Sequence, residues 1–103
     1  MAQWISACAA DTIENEGVVR FDQGARTFAI YRSAADTYHC TDGLCTHESV
    51  HLADGLVMGH LIKCPKHSGE FDIRTGEAVR SPACRNLRCY PARVEGGVVF
   101  VEV

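Results

Sequence analysis

Two short segments of this chain carry side chains able to bind metal: Cys45-Thr46-His47 and Cys64-Pro65-Lys66-His67, with sixteen residues between His47 and Cys64. Each pairs one thiolate with one imidazole, and a metal centre needs several such soft or borderline ligands brought to one point. Turns facing each other at strand tips can supply them, and the neighbouring Asp42-Gly43 and Ser68-Gly69 read as loop material. Zinc knuckles and ribbons generally use two or more intervening residues to aim both side chains at one ion. The single-residue gap of Cys45-x-His47 therefore suits ligands for different metal ions. A two-iron, two-sulfide cluster asks for that arrangement, with both cysteines on one iron and both histidines on the other. A structural zinc site using the same four side chains, in a module that only binds partners, is the rival reading.

The pattern Cys-x-His, sixteen residues, Cys-x-x-His resembles the Rieske signature. The likeness extends to Asp42-Gly43-Leu44-Cys45-Thr46-His47 as a first cluster loop and to Cys64-Pro65-Lys66-His67-Ser68-Gly69-Glu70-Phe71-Asp72 as a second. His51-Leu52-Ala53-Asp54-Gly55, Arg74-Thr75-Gly76-Glu77 and Ser81-Pro82-Ala83-Cys84 are also similar to segments of the small ferredoxins that serve bacterial aromatic-ring dioxygenases. The resemblance spans roughly residues 25–103 and is clear over 40–84. It implies an all-β Rieske fold in a single domain, 1–103, with a small cluster-binding subdomain inserted at about residues 43–70. It further implies one [2Fe–2S] cluster per chain. Cys45 and Cys64 would hold a buried iron, and His47 and His67 an outer iron where electrons leave. The expected role is a soluble one-electron carrier between an NAD(P)H-dependent, flavin-containing ferredoxin reductase and a terminal Rieske non-haem iron oxygenase of aromatic hydrocarbon catabolism. The chain itself would not be an enzyme. An accessory electron-transfer subunit of another reductase is the alternative within the same chemistry.

The ligand set bears on the potential. Two ferric ions and two sulfides carry two positive charges, which two thiolates cancel, so a centre with two neutral imidazoles accepts an electron more readily than one with four thiolates. Respiratory Rieske proteins add a disulfide between their two loops, where this chain has Val50 and Lys66, and hydroxyl donors where it has Gly69 and Phe71. Hydrogen bonds to the sulfurs stabilise the reduced state, so their absence predicts a potential near the low end of the Rieske range, about −150 mV rather than about +300 mV. The potential should also fall in alkaline solution, because the ligand histidines lose protons more easily when the metal is oxidised. Ser68, next to His67, could add a contact within its loop.

Composition narrows the rest. The chain has 103 residues, one domain's worth, and 47% of them are apolar. Ten Lys and Arg against thirteen Asp and Glu give a net charge of −3 with no basic run, which argues against nucleic acid or an anionic membrane surface as a partner. No Gly-rich dinucleotide fingerprint is present, so NADH is not expected to bind, and 103 residues are too few for a catalytic domain with its own small-molecule substrate. No run approaches a membrane span, and the segment from Met1 to Ser6 lacks the features of a signal peptide. A cytoplasmic monomer is expected.

The elements that must position the ligands read as short strands: 18–21, 26–32, 37–41, 56–57, 61–63, 70–73, 87–94 and 98–103. Turns are expected at Asp22-Gln23-Gly24, Met58-Gly59-His60, Arg74-Thr75-Gly76 and Glu95-Gly96-Gly97, which makes the arrangement antiparallel. Val99, Val101 and Val103 alternate with Val98, Phe100 and Glu102, as in a strand with one more deeply buried face. Pro91 places its run at a sheet edge or a bulge. Of the remaining cysteines, Cys40 and Cys89 read as small buried hydrophobes and Cys84 as part of a cover over the cluster loops, while Cys8 is reactive only if exposed. His39, His51 and His60 read as ordinary polar residues, His51 being the nearest to the ligands. Glu48, Ser49, Val50 and Lys66 flank the ligand histidines and are either a docking surface or plain solvated loop.

Overall fold

The computed structural model describes residues 2–46, 49–66, 68–81, 83 and 85–103, and those residues form three antiparallel sheets and two short 3₁₀ turns. In chain order the strands are β1 (Trp4–Ala9), β2 (Gly17–Gln23), β3 (Arg26–Arg32), β4 (Tyr38–Asp42), β5 (Leu56–Met58), β6 (Leu61–Lys63), β7 (Glu70–Asp72), β8 (Ala78–Arg80), β9 (Cys89–Tyr90), β10 (Ala92–Glu95) and β11 (Val98–Glu102). The sheets have the orders β1-β11-β10, β2-β3-β4-β9 and β5-β6-β7-β8. The all-β reading therefore holds.

Strand β3 explains how the three sheets share one small molecule. Its central residues Phe28, Ala29, Ile30 and Tyr31 are all fully buried. Successive side chains of a strand point to opposite faces. Phe28 and Ile30 join one core with Val99 and Val101 of β11, and Ala29 and Tyr31 join a second with Ile62, Phe71 and Ile73. A strand covered on both faces reads as a continuous apolar run, as this one does. In β11, Val99 and Val101 are buried while Val98, Phe100 and Glu102 are half-buried, which matches the expected alternation.

Pro91 divides the expected 87–94 run. β9 lies at the edge of the four-stranded sheet next to β4, and β10 at the edge of the three-stranded one next to β11. A residue without an N–H is tolerated where the chain leaves one ladder for another, and the Pro91 carbonyl still accepts from the Glu102 N–H at 2.9 Å. Two strands were not foreseen. β1 carries Ser, Cys and two Ala among six residues, weak strand formers. It exists because it pairs with β11 across the length of the chain, from Trp4↔Glu102 to Ala9↔Val98. β8 is similarly held by β7 through Glu70↔Arg80 and Phe71↔Ala78.

The turn after β7 is built tightly. Asp72 accepts from the Arg74 N–H and from its guanidinium, and the Asp72 carbonyl accepts from the Gly76 N–H at 2.7 Å. Gly76 sits at φ +81° against the Leu87 carbonyl, so a Cβ there meets both a backbone penalty and a clash. Gly59, at φ +65°, faces open space. In urea unfolding, Gly59→Ala should cost about 1 kcal/mol, the backbone term alone. Gly76→Ala should cost about 2 kcal/mol or more, and equal costs would show that the Leu87 approach is unimportant.

Candidate metal centre

The two cysteines occupy equivalent places in two loops of the same design. Before the first loop, Leu44 forms an isolated antiparallel bridge with His51, and the Cys45 N–H donates to the Val50 carbonyl at 3.0 Å. Before the second, Lys63 pairs with Glu70, and the Cys64 N–H donates to the Gly69 carbonyl at 2.7 Å. In both, the residue before the cysteine pairs with the one six places beyond it, and the cysteine bonds to the carbonyl five places on. The described ends of the two loops thus close by the same pattern, although one sequence reads Cys-x-His and the other Cys-x-x-His.

Closure of each loop turns the thiols inward. Cys45 and Cys64 are 5% and 3% exposed and belong to one core together with Leu52, Val57, Ile62 and Phe71. Among the described residues, no group of three His, Cys, Asp or Glu side chains is placed to hold a metal. The two histidines of the expected set, His47 and His67, lie outside the described residues, as does Glu48. Two buried thiols at matched loop positions are a donor pair suited to one soft or borderline metal ion and fit the cysteine half of the expected cluster.

A third segment braces both loops. The Thr46 hydroxyl donates to the Arg85 carbonyl at 2.6 Å, tying the first loop to it. Gly69 packs against Ala83, and a Cβ at Gly69 would come within 3.0 Å of both Ala83 Cβ and Ala83 N. Ala83 is buried, while Pro82 and Cys84, the latter read as a cover over the loops, lie outside the described residues. Ser68 adopts φ +60°, an uncommon conformation for a residue with a side chain. Below the loops, the Thr41 hydroxyl donates to the Asp42 carbonyl, so the buried Tyr31 hydroxyl must donate to Thr41 at 2.8 Å. Burial holds the Tyr31 pKa far above its ordinary value, which keeps the phenol neutral beside the thiols.

The remaining cysteines behave mostly as expected. Cys40 is buried, and chiefly that burial pushes its pKa up to about 12. Cys89 is only half-buried, with burial again raising its pKa, and Cys8 is half-buried and raised for the same reason. None of these three is an activated thiol. His60 is exposed, and His39 is half-buried beside the Thr37 hydroxyl at 2.7 Å. His51 departs from the expectation of an ordinary polar residue: it is buried, and its ring is bonded on both sides. Thr27, its partner, and Thr46 carried no signal in the sequence, since a lone threonine in a strand or loop looks the same whatever it contacts. Ser49 and Lys66 are exposed and Val50 is half-buried against the core.

A depression of about 660 Å³ opens between Arg26, Asp42, Arg88 and Tyr90, and neither loop cysteine lines it. Within it the Tyr90 hydroxyl donates to Asp42 at 2.6 Å and accepts from Arg26 at 3.0 Å. No helix of the described residues is long and apolar enough to cross a membrane.

The crowding at Gly69 gives a direct test of the bracing. Gly69→Ser must displace the Ala83 segment and should lower stability by about 1–3 kcal/mol, seen as a fall in the thermal midpoint. An unchanged midpoint would mean that the third segment yields freely.

Comparison with known proteins agrees with this geometry. The Rieske [2Fe-2S] domain profile matches residues 3–91. The ferredoxin component of the naphthalene 1,2-dioxygenase system of Pseudomonas aeruginosa is 35% identical, covering 98% of this chain and 96% of its own. In a complex of reduced oxygenase and oxidised ferredoxin of carbazole 1,9a-dioxygenase, one chain superposes with a TM-score of 0.90 at 33% identity, over 96% of this chain and 92% of that one. The Sphingomonas yanoikuyae B1 ferredoxin also gives 0.90, at 31% identity over 98% and 99% of the two chains.

Proposed function

Because this chain belongs to the Rieske [2Fe-2S] domain family, we propose that it is the ferredoxin of a multicomponent aromatic-ring oxygenase, carrying single electrons from an NAD(P)H-dependent flavoprotein reductase to a terminal Rieske non-haem iron oxygenase. The observation that carries this reading is the pair of buried thiols, Cys45 and Cys64, at equivalent positions of two matched loops. A [2Fe–2S] centre of this type supplies a one-electron couple. Cys45 and Cys64 would hold one iron, and His47 and His67 the other. The loops' backbone closure aims the thiols, and Phe71, Leu52 and Ile62, all fully buried, keep water from their inner side. The oxygenase as recipient is supported by the full-length likeness to dioxygenase ferredoxin components and to the ferredoxin seen with an oxygenase. A cytoplasmic, monomeric carrier belongs to the same proposal.

The potential is proposed to lie near the low end of the Rieske range, about −150 mV. Phe71 offers no hydroxyl, and the crowding of Gly69 by Ala83 leaves no room for a serine there without movement.

Purified anaerobically, the protein should be coloured, contain iron and inorganic sulfide, and show a rhombic EPR signal after reduction; zinc without iron or sulfide would end this reading. His67→Ala should lose the centre or change its spectrum, and wild-type optical behaviour in that variant would remove His67 from the ligand set. Phe71→Tyr should raise the potential by roughly 40 mV, the value for a hydrogen bond favouring the reduced state by ~1 kcal/mol. An unchanged potential in a folded Phe71→Tyr protein would mean that the hydroxyl does not reach a sulfur.

A further inference from the structure

His51 sits immediately after the first cluster loop and is 7% exposed. Its Nδ1 accepts from the Ala53 N–H at 3.0 Å, capping the 3₁₀ turn Leu52–Asp54. A ring nitrogen that accepts carries no proton, so in the neutral ring the proton is on Nε2. Nε2 lies 2.8 Å from the Thr27 hydroxyl of β3 and therefore donates to it, and Thr27 in turn donates to Asp22 of β2 at 2.6 Å. The chain of donors runs in one direction only, and it closes only around a neutral imidazole.

The backbone around His51 is the neck of the loop. Leu44 bridges to His51, the Leu52 N–H donates to the Gly43 carbonyl at 2.8 Å, and the Gly43 N–H donates to the Thr27 carbonyl at 3.0 Å. Gly43 passes so close to the ring that a Cβ there would lie 2.5 Å from Nε2. The imidazole thus fills the angle between the loop's two ends and β3.

We propose that His51 is a positioning residue for the first cluster loop, acting only in its neutral Nε2–H form, and that its protonation in mildly acidic solution loosens the loop's neck and so the hold on Cys45. This rests on the reading that the loop carries a cluster. Protonated, Nδ1–H would face the Ala53 N–H, donor against donor, and the cap would be lost. The charged groups facing the ring are Arg20 and Asp22 of β2 and Asp54 of the 3₁₀ turn. Burial first, then Arg20, lowers the His51 pKa from 6.5, with the two carboxylates opposing. A folded-state pKa below the unfolded one means that the native protein binds fewer protons. The stabilisation is complete above pH 6.5 and is lost as pH falls toward the folded value.

Three forms of the purified protein, wild type, His51→Asn and His51→Leu, separate this role from simple packing. Hydrogen exchange of the 49–58 segment, corrected for intrinsic rates, and retention of visible absorbance are followed from pH 8 to about 4.5. Asparagine can cap the Ala53 N–H without titrating. The wild type should therefore lose protection and colour as pH falls below ~6.5, while His51→Asn stays flat over that interval. His51→Leu should show the acid form's exchange already at pH 7.5 and lose colour roughly fivefold faster, the factor set by a cap of typical strength. An acid transition unchanged in His51→Asn, or neutral-pH behaviour of His51→Leu equal to wild type, overturns the proposal. Should His51→Leu not fold, the comparison of wild type with His51→Asn decides. A colourless wild type would overturn the cluster reading instead, and the exchange profiles would still decide the role of His51.

Discussion

Two backbone hydrogen bonds, from the Cys45 N–H to Val50 and from the Cys64 N–H to Gly69, determine where the thiols of this protein point. Each closes a six-residue loop whose ends are already paired as antiparallel strands, so the cysteine leaves the ladder with its side chain directed into the core. A thiol on an unclosed loop would be free to face water, where ordering it on binding would cost conformational entropy. Here that ordering is done by folding. Matched closure also means that both cysteines leave the ladder at the same place in one backbone plan.

The loops are only as fixed as what lies beneath them, and that is β3. Ala29 and Tyr31 form part of the core under the cysteines, while Phe28 and Ile30, one residue away in the chain, anchor the opposite core against β11. A one-residue slip of β3 would exchange the two faces, placing Phe28 and Ile30 under the loops. Registers with both neighbours prevent it: seven pairs with β2, from Gly17↔Arg32 to Gln23↔Arg26, and five with β4, from Phe28↔Asp42 to Arg32↔Tyr38. Thr27, at the start of the same strand, extends that rigidity to the loop neck through His51.

The polar groups near the centre are arranged to stay uncharged or paired. Tyr31 is held neutral by burial, His51 is bonded as a neutral ring, and Asp72 is kept below the usual carboxylate range chiefly by Arg74. Among the described residues no buried side-chain nitrogen or oxygen lacks a partner. An inner wall without loose charge suits a centre whose own charge changes by one electron, because neighbouring groups need not titrate in response.

The paired loop cysteines, the alternating valines of β11, the Gly-containing turns and the proline at a sheet edge were legible in the sequence because each is a local property, set by side-chain chemistry, strand period or a fixed φ. β1 and β8 were not, since Ser6, Ala7, Cys8 and Ala9 in the one and Ala78 and Arg80 in the other have little intrinsic preference for a strand, and the pairing comes from partners distant in the chain or across a bulge. The burial of His51, the tie from Thr46 to Arg85 and the approach of Ala83 to Gly69 were equally hidden, because each joins separate segments of the chain. The sequence alone therefore determined which side chains are available to hold a metal. Only the tertiary structure decided that Cys45 and Cys64 occupy equivalent, inward-facing positions, because that equivalence comes from long-range pairing that closes both loops in the same way.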